Sequence, residues 1–213
     1  MSFMFNECES LKKVEFISCD TSQVYDMKYM FRRCTELEYV DLSVFNTYNV
    51  IDMNTMFSQC KKLKTIKRLE KFKTFNVINM QAMFQLCEEL EYLDLSNFNT
   101  HNVQNMRTMF NRCLKLKEIK GIEYFDTTNV NDMALMFCAC ENIEYLDLAK
   151  FNISNVNNME EMFSLCHKLK EIKGINKFNT INVTNMRSMF GLCQKLKYLD
   201  LSNFNTLNVT DIQ

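Results

Sequence analysis

A Met-Phe pair followed three residues later by Cys occurs eight times: Met4-Phe5/Cys8, Met30-Phe31/Cys34, Met56-Phe57/Cys60, Met83-Phe84/Cys87, Met109-Phe110/Cys113, Met136-Phe137/Cys140, Met162-Phe163/Cys166 and Met189-Phe190/Cys193. Successive copies lie 26 or 27 residues apart. Units this short cannot close a core alone, so each must bury its apolar face against its neighbours. The chain therefore reads as a single stack of repeats over residues 1–213.

One unit shows how a coil is built. Leu37, Val40 and Leu42 have the Leu-x-x-Leu-x-Leu spacing of a short strand in a parallel sheet. Leu90/Leu93/Leu95, Ile143/Leu146/Leu148 and Leu196/Leu199/Leu201 repeat it, and Phe45, Phe98, Phe151 and Phe204 follow as inward anchors. An Asn or Asp row comes next: Asp26, Asp52, Asn79, Asn105, Asp132, Asn158, Asn185 and Asp211. Its side chains suit a helix N-cap. Behind Asp52, the residues Met53, Met56, Phe57 and Cys60 stand at i, i+3, i+4 and i+7, which predicts one apolar face of a short helix. The expected fold is an α/β repeat: a right-handed leucine-rich-repeat solenoid of about eight coils, with one short parallel strand and one short helix per coil.

Two kinds of coil alternate, giving a double repeat of 53 residues, as from Leu37 to Leu90. One strand type reads Leu90-Glu-Tyr-Leu-Asp-Leu95 and the other Leu116-Lys-Glu-Ile-Lys-Gly121, with one residue inserted before the Phe anchor. Gly121 and Gly174 fall at the insertion and predict a bulge or a positive φ; Arg68 occupies the same place in the first long coil and should fit less well. In an in-register stack like residues lie about 4.8 Å apart, so like charges would repel. Asp41, Lys67, Asp94, Lys120, Asp147, Lys173 and Asp200 alternate in sign, as do Glu38, Lys64, Glu91, Lys117, Glu144 and Lys170. Alternation turns both rows into expected ion-pair ladders that set register.

Several functions find no support. The net charge is −1 with no basic block, so affinity for nucleic acid is not expected. No apolar run reaches the length of a membrane span, and no signal-peptide layout is seen. The cysteines lack metal-ligand spacing and His101 and His167 lie in different parts of the coil, so no metal or other cofactor is expected. The thiols and most of the methionines read instead as core filling. No nucleophile–base pair, phosphate loop or carboxylate pair stands apart from the repeat, so neither catalysis nor a small-molecule substrate is expected. The row Asn49, Asn76, Asn102, Asn129, Asn155, Asn182 and Asn208 reads as an amide ladder, which should make the sequons at Asn182 and Asn208 inaccessible.

One row has no structural duty in this scheme. Tyr39, Tyr92, Tyr145 and Tyr198 lie beside the charges on the strand face, in alternate coils. They either anchor a protein partner or shield the ion-pair rows. Both ends read as uncapped half-coils: Met4, Phe5 and Cys8 at one, Val209 and Ile212 at the other. This spacing permits a second reading, self-assembly of copies end to end into filaments.

The stretch at residues 90–116, with its Leu-Asp-Leu-Ser-x-Phe and Asn-Val-x-x-Met-x-x-Met-Phe-x-x-Cys-x-x-Leu elements, closely resembles the BspA-like leucine-rich repeat family. The likeness covers essentially all of residues 1–213. It implies a non-catalytic protein-interaction or adhesion module of a cell-surface or secreted protein; without a signal peptide in this chain, a cytoplasmic location is the alternative. It supplies no catalytic residues.

Overall fold

Seven three-residue strands stack in parallel in the computed structural model, which describes residues 1–211. They are β1 (Lys13–Glu15), β2 (Tyr39–Asp41), β3 (Thr65–Lys67), β4 (Tyr92–Asp94), β5 (Glu118–Lys120), β6 (Tyr145–Asp147) and β7 (Glu171–Lys173). The middle residue of each points into the coil, as Val40, Leu93 and Leu146 do, and its neighbours face solvent. From β1 to β7 the chain makes six full turns, fewer than the eight coils expected. Residues 198–200, the next position in the row, form no strand.

The predicted helices are absent: no α-helix forms among the described residues. Met53, Met56, Phe57 and Cys60 are nevertheless fully buried, so the inward face was read correctly while its backbone was not. In each coil two residues four apart take positive φ, for example Thr55 (58°) and Gln59 (63°), and break the segment into overlapping turns. A left-handed residue costs roughly 1–2 kcal/mol. Here it aims an N–H at the next coil: Thr55 donates to the Gln81 carbonyl at 2.8 Å and Gln59 to that of Gln85 at 2.7 Å. Met53 and Phe57 donate likewise to Asn79 and Met83. Stacking explains why this arrangement wins. The Phe31, Phe57, Phe84, Phe110, Phe137, Phe163 and Phe190 rings lie face to face with centroids 5.5 to 5.9 Å apart. Helices need about 8–10 Å between axes and cannot follow that spacing.

The Asp and Asn row therefore caps turns, not helices. The Asp52 carboxylate accepts the Asn54 N–H at 2.8 Å, and its backbone bridges in parallel to Asp26 and Asn79. Three further rows fasten coil to coil. Each thiol of the repeat row from Cys34 to Cys193 donates to the Phe carbonyl one coil back, as Cys60 does to Phe31 at 3.0 Å and Cys113 to Phe84 at 3.1 Å. Thr74 both donates to the Asn99 carbonyl at 2.9 Å and accepts the Asn99 N–H at 2.8 Å, and Thr21, Thr127 and Thr180 repeat this clasp. The Asn amides bond to backbone rather than to each other: Asn182 donates to the Ser154 carbonyl and Asn208 to that of Ile181, each at 2.7 Å. Both residues are exposed, so their predicted inaccessibility does not hold.

The strand side is discontinuous. β1, β2 and β3 pair as one sheet, β4 with β5 as a second and β6 with β7 as a third. Both breaks follow a long coil. There the inserted residue takes a left-handed conformation (Arg68 at φ 68°, Gly121 at 94°, Gly174 at 86°) and starts a 3₁₀ turn at Leu69–Lys71, Ile122–Tyr124 or Ile175–Lys177. A Cβ at Gly121 would lie 2.5 Å from the Ser96 Cα, so glycine is required by close approach as well as by φ. Arg68 adopts the same backbone despite its side chain. The turn sits where the next strand would pair, which holds β4 off β3 and β6 off β5. The position around Tyr198 also follows a long coil and, unlike β4 and β6, has no later strand among the described residues to pair with.

Candidate interaction surface

Each break opens a groove on the strand face. The first, about 650 Å³, lies between β3 and β4 over Ile66, Leu69 and Leu93. The second, about 470 Å³, lies between β5 and β6 over Ile119, Ile122 and Leu146. In each the base of the cleft is apolar and includes the first residue of the 3₁₀ turn. Tyr92 lines the first groove and Tyr145 the second, at equivalent positions.

The expected charge ladders resolve into isolated pairs. Lys67 reaches Asp41 at 2.7 Å, Lys120 reaches Asp94 at 2.8 Å and Lys173 reaches Asp147 at 2.7 Å, while Lys64 and Lys117 bind Glu38 and Glu91 at 3.0 and 2.7 Å. Every one of these joins a short coil to the long coil after it. Across a groove the same residues face one another unjoined, because their partners lie on the far side. The first groove thus has a basic wall of Lys64, Lys67 and Arg68 and an acidic wall of Glu89, Glu91 and Asp94.

These pairings set the protonation of the acids. Partial burial pushes the Asp94 carboxyl up, but the Lys120 ammonium and the Ser96 hydroxyl and N–H together hold it down to about 2. Lys67 and Ser43 place Asp41 far below the ordinary carboxylate range. Burial moves the thiols the other way, Cys113 to about 12. Asp41 and Asp94 are therefore ionised and the Cys113 thiol protonated near neutral pH. Among the described residues no cluster of three His, Cys, Asp or Glu could hold a metal ion, and no helix is long and apolar enough to cross a membrane.

The four tyrosines differ in setting. Tyr39 is half-buried beneath the Lys13 ammonium, which sits 5.3 Å from its ring. Tyr92 and Tyr145 are 45% and 48% exposed at the grooves, and Tyr198 is 78% exposed where no strand forms. Burial, and then the Asp94 charge, raise the Tyr92 hydroxyl pKa, so it stays a neutral donor. Two of the four are therefore brought to equivalent clefts. The grooves themselves escaped sequence reading, although the inserted residue that creates them is visible there.

At the first end Met4 and Cys8 are exposed and Phe5 stacks on Phe31 at 5.2 Å. At the other, Met186, Met189, Phe190, Leu201 and Phe204 line an apolar hollow of about 590 Å³, with Val209 packed against the core. Ile212 lies outside the described residues.

Among solved structures the chain is similar to a leucine-rich repeat protein of T. pallidum, with 18% identity, a TM-score of 0.51 and coverage of 78% of this chain and 68% of that one. It is also similar to a leucine-rich repeat protein of Eubacterium ventriosum (16% identity, TM-score 0.49, 84% of this chain), of which it spans 51%. A third likeness is to a leucine rich cell surface protein of Faecalibacterium prausnitzii, at 15% identity and a TM-score of 0.34, covering 79% of this chain and 60% of that one. The fold is that of a leucine-rich repeat protein, in keeping with the BspA-like motifs. No curated protein matches the sequence. Overlapping matches at residues 1–90, 41–144, 84–173 and 139–213 run the length of the chain, which belongs to the family described as Mycoplasma protein of unknown function, DUF285.

Proposed function

We propose that this chain is a non-catalytic protein-interaction module, acting in adhesion on a cell-surface or secreted protein, with the strand face as its contact surface. The carrying observation is the pair of equivalent grooves, each with an apolar base and a half-exposed tyrosine, the first also with oppositely charged walls. Rigid aromatic groups beside a desolvated cleft are the usual anchors of an interface. Their recurrence one double repeat apart favours an extended partner that engages both.

The test is selection of peptides from a displayed random library on the immobilised protein, followed by measured affinity for variants. Binders of this surface lose roughly tenfold or more in affinity on Tyr92→Ala and on Tyr145→Ala, and none on Tyr124→Ala. Binders indifferent to both groove substitutions remove the tyrosines from the site. A second reading, filaments built end to end, is favoured by the apolar hollow at Phe190. A second copy's Met4 and Phe5 would fill it and extend the row of stacked rings. Electron microscopy of concentrated protein separates the two readings: fibres support the second and dispersed particles remove it.

A further inference from the structure

Repetition provides an internal control. Where equivalent residues share one backbone conformation, a change of side chain along a row reflects something other than folding. The turn edge leading into the Asp/Asn row has two exposed positions per coil. In the first coils they hold Tyr48 and Phe75 in one row and Tyr25, Ile51 and Ile78 in the other, 42 to 68% exposed. Farther along, the same positions hold His101, Thr128 and Ser154 in the first row, and Gln104, Asn131 and Asn157 in the second.

The backbone does not distinguish these regions. Ile51 donates to the Tyr25 carbonyl at 2.8 Å, and Ile78 to Ile51, Gln104 to Ile78 and Asn131 to Gln104 at 2.9 Å each. In the first row Asn76 donates to the Tyr48 carbonyl at 2.8 Å and Asn129 to that of His101 at 2.7 Å. Polar side chains satisfy the fold at these sites, so the five large apolar residues are not needed by it.

We propose that Tyr25, Tyr48, Ile51, Phe75 and Ile78 form the contact face of a homodimer. Area favours a second copy. With aromatic side chains of about 200 Å², the exposed fractions amount to roughly 500 Å², at the upper end for the largest apolar patch on a monomer. Two such patches face to face remove about 1,000 Å², the lower bound for a specific interface. The arrangement is also self-complementary. A two-fold axis along the rows sets the Tyr48/Phe75 row of each copy over the Ile51/Ile78 row of the other, so one patch serves both sides. None of the five carries a charge, so apposition brings no like-charge repulsion from within the patch.

The experiment is light scattering and sedimentation of the full chain across concentration. It is repeated on a variant carrying Tyr48→His, Ile51→Gln, Phe75→Thr and Ile78→Asn, residues that the same rows bear elsewhere in this chain. Native protein is expected to approach twice the chain mass of 25.4 kDa. The variant should remain near 25.4 kDa, with a dissociation constant raised on the order of a hundredfold. A second variant, Ile181→Ser with Leu207→Ser, alters exposed apolar residues at the far end of the row and should still dimerise. A native monomer at every concentration, a dimer that survives the quadruple change, or open-ended growth would overturn the proposal. So would a native monomer that uses this patch on another protein or on lipid vesicles.

Discussion

On the turn side each described coil bonds to the next, through alternate N–H groups, a Phe ring and a thiol; on the strand side strand pairing stops after β3 and again after β5. Both sides belong to the same coils, so the contrast comes from spacing. Turns pack at the separation of stacked rings, about half a nanometre or slightly more, and accept it at every step. Strands require about 4.8 Å and lose their partner wherever a 3₁₀ turn intervenes. Continuity on one side permits interruption on the other, and the interruptions supply the two grooves. Coil-to-coil cohesion thus lies on one side of the coil and the proposed contact surface on the other.

The largest effect should come from breaking the continuous side. Phe110→Ala opens a void in the stacked row between Phe84 and Phe137 and is expected to cost about 3–5 kcal/mol, measured by denaturant unfolding. On the strand side the most sensitive position is Gly121. Gly121→Ala demands a left-handed alanine and drives its Cβ into the Ser96 backbone, for a loss of about 2–4 kcal/mol. Both grooves should be disturbed less by Arg68→Gly, since the first already tolerates a side chain there.

Next is the thiol row. Cys113→Ala removes one of the two donors on the Phe84 carbonyl, which keeps the Cys87 N–H at 3.1 Å, and should cost about 1 kcal/mol, while Cys113→Ser keeps both donors and costs less. A labelling experiment checks the same row. Of the ten cysteines, exposed Cys8 and half-exposed Cys19 should react quickly with a thiol reagent in the native state, half-exposed Cys193 more slowly because its thiol is held on the Phe163 carbonyl, and the seven buried thiols only on unfolding. Fast reaction of Cys113 would contradict its position in the core.

The smallest effect belongs to the ion pairs. Lys120→Ala should shift the thermal midpoint by no more than about 2 °C, because solvent and salt screen so exposed a pair. The direction with pH is fixed. The folded Asp94 pKa, about 2, lies below the unfolded value, so its contribution is present above roughly pH 4 and is lost as pH falls through the folded value. Acid titration of native protein should show this loss, and Lys120→Ala should diminish it. Equal midpoints in low and high salt would remove the pair from the account.

Much of this was legible in the residues. The period, the inward Met-Phe-Cys face, the parallel strands and the partners of Lys67, Lys120 and Lys173 all follow from the rows. The helix did not, because Met53, Met56, Phe57 and Cys60 have the same spacing whether a face is helical or built from overlapping turns. What decides between them is the separation of neighbouring coils, which no single coil encodes. The thiol donors and the Thr74 clasp were read as packing or overlooked, since each partner is a backbone group in another coil. The grooves required knowing that one inserted residue displaces the strand after it. Of the tyrosines, Tyr92 and Tyr145 lie at those clefts, and Tyr39 and Tyr198 do not.

Hydrogen exchange resolved to single amides tests the contrast most directly. Glu91 and Leu95 bond to β5, so by strand alternation the N–H groups of Tyr92 and Asp94 face the groove. In β2 the equivalent residues Tyr39 and Asp41 face β1 and are paired with it. The prediction is slow exchange at Tyr39 and Asp41 and at the turn-side amides of Thr55, Gln59, Thr108 and Arg112, with much faster exchange at Tyr92 and Asp94. Equal protection of Tyr92 and Tyr39 would mean that the sheet is continuous and that the grooves do not exist in solution.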